Sequence, residues 1–153
     1  MVNEMDPVDP REMQALQHYL SEYGQQVEIF SNQLQMIDEG RMEATAAIEV
    51  LKAIQESGGS EIVLLQVGGG TSVRAKVLEP DRIFVSIGSD VVVERTNADA
   101  VEYLKDRITE MEASGKKVAE TIDRIRSQMN EIARRIETGY QQAQAAAQSQ
   151  GQR

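Results

Sequence analysis

Two long helices that pair as a coiled coil, joined through a small block of β-hairpins, are the α+β architecture this sequence predicts, and three observations carry it. Helix formers such as Ala, Glu, Gln, Met, Leu, Lys and Arg dominate both flanks. Within each flank, apolar residues recur at alternating steps of three and four. Between the flanks, from about Ser57 to Thr96, the composition turns to Val, Ile, Gly and Ser. Of 153 residues only 4% are aromatic and none is Trp, too little bulk to fill one compact core.

The first flank, 9–57, opens on a start signal: Asp9 can cap, Pro10 suits the first helical position, and Glu12 stands three after Asp9 as in a capping box. The stripe then reads Met13, Leu16, Leu20, Tyr23, Val27, Phe30, Leu34, Ile37, Arg41, Ala44, Ile48 and Leu51, with eleven of twelve positions apolar. A mean spacing of about 3.5 residues keeps one narrow seam on a partner only in a left-handed supercoil. The helix stops near Ser57, because Gly58-Gly59 supplies the left-handed backbone of a helix end.

The third segment, 97–147, repeats the rule after a cap from Thr96 with Asp99 three later: Val101, Leu104, Ile108, Met111, Gly115, Val118, Ile122, Ile125, Met129, Ile132, Ile136, Gly139, Ala143 and Ala146. Each arm would be roughly 70 Å long at the helical rise. With about forty residues between the arms, the simplest pairing is intramolecular and antiparallel, Leu51 near Val101 and Leu104, Met13 near Gly139 and Tyr140. That register sets Arg41 level with Gly115, where the long Arg stem would fill the space of the missing side chain. Residues 148–153 close an Ala- and Gln-biased stretch and are expected to fray into a flexible tail.

Four strand-like runs occupy the middle segment, 58–96: Glu61 to Val67, Ser72 to Leu78, Arg82 to Ile87 and Val91 to Arg95. Gly68-Gly69-Gly70, Glu79-Pro80-Asp81 and Gly88-Ser89-Asp90 separate them, residues that hairpin turns use. Alternation puts Val73, Ala75 and Val77 on one face, and likewise Ile83, Val85 and Ile87, then Val91 and Val93. Four such strands are too few to close a barrel and leave open edges and an uncovered apolar face. The block is therefore expected to be an oligomerisation device that finds another copy, rather than a decorated loop.

A formal charge of −9 offers no footprint for a phosphate backbone or an anionic membrane. The absence of Cys excludes disulfides and thiolate metal sites. No run approaches the length of a membrane span, and the start Met1-Val2-Asn3-Glu4-Met5-Asp6 lacks the features of a signal peptide, so a cytoplasmic location is expected. Gly68-Gly69-Gly70 is no phosphate loop, since neither Lys-Ser nor Lys-Thr follows and no helix starts there. His18, the sole His, lies off the seam without an expected acid–base partner. Met13, Met111 and Met129 read as core, whereas Met36 and Met42 fall off the stripe and are expected to be exposed. No catalytic constellation, metal site or cofactor is predicted, and the chain is read as not an enzyme.

The stretch Leu65-Gln66-Val67-Gly68-Gly69-Gly70-Thr71-Ser72-Val73-Arg74-Ala75-Lys76-Val77, followed by Val85-Ser86-Ile87-Gly88-Ser89-Asp90-Val91-Val92-Val93-Glu94, resembles the α class of the prefoldin family, of archaeal type. The resemblance spans nearly the whole chain, and its specific part is the glycine-bounded pair of hairpins. It implies a hexamer of two α-type and four β-type subunits whose hairpins form a double β-barrel, with coiled coils surrounding a cavity. It also implies an ATP-independent holdase that captures non-native client proteins at its tips and transfers them to a group II chaperonin.

The end layers of a coiled coil have no neighbour beyond them, which makes the tip a physical candidate for client contact. Its apolar residues are Met5, Val8, Met13, Leu16 and Leu20 at one end and Ile132, Ile136 and Tyr140 at the other. For Leu16, Leu20, Ile132 and Ile136, ordinary seam packing is an equal reading. The competing function is a structural adaptor or spacer that binds one folded partner; suppression of aggregation of unrelated clients separates the two.

Overall fold

The computed structural model describes residues 9–151. Helix α1 runs Pro10–Ser57, strands β1 Ile62–Gly68 and β2 Thr71–Lys76 form one hairpin, β3 Ile83–Gly88 and β4 Val91–Arg95 a second, and helix α2 runs Asn97–Gly151. The two sheets are separate antiparallel pairs. Met5 and Val8 lie outside the described residues.

The helix ends follow from local chemistry. The Asp9 carboxylate accepts the Arg11 N–H at 3.2 Å, and Thr96 Oγ1 accepts the Asp99 N–H at 3.2 Å, so both expected caps form. The Glu12 carboxylate of the expected capping box accepts from Arg135 of α2. At the C-terminus of α1 the Gly59 N–H reaches back to the Ile54 carbonyl at 3.4 Å with φ +82°. A Cβ on Gly59 would run into the Val77 carbonyl oxygen, so the close approach of β2's end to α1 also demands glycine. Helix α2 continues through 148–151, where fraying was expected, since Ala and Gln both favour helix.

Two compact units make up the fold, residues 1–35 with 116–153, and residues 36–115. In the first unit Gly24 of α1 faces the Met129 methyl group of α2, and the Tyr140 hydroxyl accepts from Gln17 Nε2 at 3.0 Å. Ile122 and Ile125 are its buried side chains, and every seam position from Met13 to Leu34 is half-buried. The stripe departs from expectation only at its end: Ala143 and Ala146 are exposed, and Gln142 is the half-buried residue there.

In the second unit Ala44, Ile48, Ala100 and Val101 form the buried core. Arg41 is half-buried at its place in the seam. Its guanidinium ends 3.9 Å from Glu112 of α2 and 3.8 Å from Asp38, since a charge at a seam keeps carboxylates within reach. At Gly40 a Cβ would sit 3.4 Å from Met111 Sδ. Met111 and Met129 thus each occupy the room left by a glycine on the opposite helix, a use suited to an unbranched, adaptable side chain. Gly40→Ala is expected to stabilise the chain by about 0.5–1 kcal/mol, since the flexible thioether can yield while a mid-helix glycine costs backbone entropy. Thermal unfolding checks this; a lowered midpoint would mean that Met111 has nowhere to go.

Both hairpins turn on two residues with left-handed backbone, Gly69-Gly70 (φ +58° and +74°) and Ser89-Asp90 (φ +51° and +61°), the primed-turn geometry that matches strand twist. A register irregularity precedes each turn, at Gln66/Gly68 and at Ser86/Gly88. Where hairpins and helices meet, Asn97 is the one buried polar residue among those described, 3% exposed. Its side-chain nitrogen donates to the Leu51 carbonyl at 2.9 Å and to the Pro80 carbonyl at 3.1 Å, while its backbone N–H donates to Asp81 Oδ1 at 3.0 Å.

Candidate assembly and client-contact surfaces

The first hairpin carries apolar side chains on both faces. Pairing of Val63 with Ala75 and of Leu65 with Val73 makes one face, and that of Ile62 with Lys76 and Leu64 with Arg74 makes the other. Val63, Ala75 and Val77 are half-buried, and Val63 and Val77 border a small cavity of about 130 Å³ beside Val50, Ala53 and Ile54 of α1. Beyond them Val73, Ile62, Leu65 and Val67 stand exposed, and Leu64 reaches 73% exposure.

The second hairpin behaves alike. Ile83, Val85 and Val93 are half-buried, whereas Ile87 and Val91 are exposed. The Tyr103 hydroxyl reaches the Ser86 carbonyl at 3.5 Å, and an open groove of about 720 Å³ between β3 and the helices is lined by Val50, Leu51, Phe84 and Leu104 among others. Phe84 itself is 63% exposed, with the Arg82 guanidinium 5.7 Å from its ring, and Val92 is exposed as well. Arg82 is held by Glu94 and by Glu79 at 3.2 Å, and these hydrogen bonds, that from Glu94 first, raise its pKa above the ordinary guanidinium range.

The eight residues marked out by alternation therefore divide. Ala75, Val77, Ile83, Val85 and Val93 are half-buried, whereas Val73, Ile87 and Val91 remain open. Alternation missed the most exposed members, Leu64, Leu65, Val67, Phe84 and Val92, together with Leu78 of the connecting turn. The signal was present in Ile62-Val63-Leu64-Leu65, since successive apolar residues in one strand mean that both faces seek cover.

At the paired helix ends Met13, Leu16, Leu20, Ile132 and Ile136 are half-buried along the seam. Tyr140 is exposed, and so is Tyr19, which the seam pattern passed over because it lies off the stripe. The Gln142 Oε1 atom is buried there and accepts no hydrogen bond among the described residues. Met36 and Met42 are exposed on α1. His18, expected to stand alone, lies 3.2 Å from Glu22 one turn on, and both side chains are open to solvent. Among the described residues no group of His, Cys, Asp and Glu could hold a metal ion, and no helix is long and apolar enough to cross a membrane.

The family described as prefoldin subunit matches residues 23–142. A prefoldin subunit alpha of Methanoregula boonei is 58% identical over 136 residues, 89% of this chain and 88% of that one. One of Methanoculleus marisnigri is 53% identical across 96% of this chain and 98% of its own length. Among solved structures, a filamentous PFD of Methanocaldococcus jannaschii superposes with a TM-score of 0.66 at 20% identity, covering 76% of this chain and 97% of that one. The prefoldin beta subunit of Thermococcus strain KS-1 gives 0.58 at 19% identity, with 88% and 96% covered. At such identities these two structures speak for the fold.

Proposed function

This chain belongs to the prefoldin family of non-enzymatic chaperone subunits, and we propose that it is the α-type subunit of a nucleotide-independent holdase. A chaperone role and assembly into a prefoldin complex follow from that membership. The finer reading is a hexamer in which two copies of this chain join four β-type subunits through their hairpins. In it, the paired helix ends hold non-native proteins and release them to a group II chaperonin in the cytoplasm.

The observation that carries the assembly half is the apolar surface on both hairpins. Leu64, Leu65, Val67, Phe84 and Val92 are large and exposed along short strands whose edges are also open. A soluble chain seldom leaves such a surface in water, and several strands of other subunits would cover both the side chains and the unpaired backbone groups. For client capture the support is chemical. The ends offer the partly covered Met13, Leu16, Leu20, Ile132 and Ile136 and the exposed rings of Tyr19 and Tyr140. Met5 and Val8 would add to the same end. Such contacts are weak singly and unspecific, and several ends acting on one client would gain through effective concentration.

The experiment is light scattering from an unfolded client diluted into the assembled complex without nucleotide, beside a complex lacking residues 1–16 and 137–153 of this chain. Suppression of scattering by the first and a clear loss in the second, with assembly intact, is the expected result. Full suppression by the truncated complex would move client contact away from the helix ends. Failure of the intact complex on several unrelated clients would favour an adaptor for one folded partner.

A further inference from the structure

We infer that Asn97 is a positioning residue for assembly: it locks the hairpin pair onto the helix pair in the single orientation in which the apolar strand faces can meet other subunits. Three segments distant in sequence converge on this one side chain and its N–H, namely the last turns of α1 at Leu51, the connector between the hairpins at Pro80 and Asp81, and the start of α2. Each hairpin is a two-stranded sheet with no strand shared between them, so backbone pairing alone leaves their setting against the helices undetermined. The packing beneath them is incomplete as well, with the open groove under β3 and the small cavity under the first hairpin. Directional bonds must therefore supply what close packing does not.

The residue type matters. A primary amide presents two N–H donors on one nitrogen, here divided between the Leu51 and Pro80 carbonyls, at a reach of one methylene. Leu matches the branched outline and offers no donor, Ser offers one, and Asp would set a carboxylate against two carbonyl oxygens. Burial to 3% exposure makes the pattern costly to break, because no water stands ready to replace the amide. The only other bonds among the described residues that tie a hairpin to a helix are peripheral by comparison, such as the 3.5 Å contact of Tyr103 with Ser86 at an exposed edge.

The consequence for assembly rests on the function proposed above, while the orientation itself can be read on the isolated chain. The protein has no native Cys, so Ser72→Cys on the first hairpin and Glu110→Cys on α2 accept spin labels uniquely. Pulsed electron resonance is expected to give a narrow distance distribution for the otherwise unaltered chain and a broad one for Asn97→Leu, with helix content unchanged by circular dichroism. Asn97→Ser should fall between, and it serves as the test if the Leu variant does not fold. Assembly with β-type subunits is expected to weaken roughly ten-fold or more in the Leu variant, the equivalent of losing one to two buried hydrogen bonds. A distribution that stays narrow in both variants overturns the inference. A broad distribution with undiminished assembly overturns Asn97 as an assembly determinant. Should the unaltered chain fail to assemble, the assembly reading falls, and the distance measurement still decides whether Asn97 sets the orientation.

Discussion

Leu64→Glu should leave the helices of the free chain intact and cripple its entry into a complex with β-type subunits. At 73% exposure Leu64 has little to lose in the isolated subunit, so a substitution there acts almost wholly on the assembled state. Covering a leucine side chain contributes about 1.5–3 kcal/mol, and placing an unneutralised carboxylate in the same interface adds a further penalty of several kcal/mol. Together these amount to a loss of at least ~100-fold in affinity per contact. Each site has a cation nearby, Arg74 across the first hairpin and Arg82 over the Phe84 ring, so Phe84→Asp is the companion variant that carries the same test to the second hairpin. Sedimentation of the mixed subunits, with circular dichroism of the variant alone, reads both halves. Full assembly of both variants would show that the exposed faces are not the joining surfaces.

The second large effect is expected within the helix pair of residues 116–151 and 9–35. Ile122→Ala should destabilise the chain by about 2–5 kcal/mol, the usual cost of removing a buried branched side chain and leaving its space behind. Ile122 is 5% exposed, among the lowest values of any apolar side chain here. Ala146→Ser, farther along the same heptad series but exposed, should change the unfolding free energy by no more than about 0.5 kcal/mol. Denaturant titration of the two variants provides the comparison. Equal, small effects would mean that the seam contributes little and that stability resides in the hairpin unit.

That pair of substitutions also marks how far periodicity reads. Steps of three and four placed every seam residue from Met13 to Leu51 and from Val101 to Gly139 at buried or half-buried positions. The rule rests on the pitch of the helix, which a linear pattern records directly. It failed at Ala143 and Ala146, because alanine is equally at home on a seam and in water and its position carries no hydrophobic information. It is silent at Arg41 and at Gly40. Both sit at or beside the seam, and only the facing helix decides that Met111 fills the glycine's space while Arg41 turns to Glu112.

The hairpins show the same division. Their number and their turns at Gly69-Gly70 and Ser89-Asp90 could be argued from residue types alone, because turn backbone and strand alternation are local properties. Which strand face lies against the chain's own helices and which is left open could not. Alternation names a face without saying what covers it, and so Leu64, Phe84 and Val92 were passed over.

By itself, then, the sequence determined the helices, their caps at Asp9 and Thr96, the seam, the hairpins and the prefoldin resemblance, all of them written in residue spacing over a few turns or strands. Tertiary structure decided the rest: the pairing of Glu12 with Arg135, the seating of methionines on glycines, and the convergence of Leu51, Pro80 and Asp81 on Asn97. Those are contacts between residues far apart in the chain, and no local pattern encodes a partner that only the fold brings near.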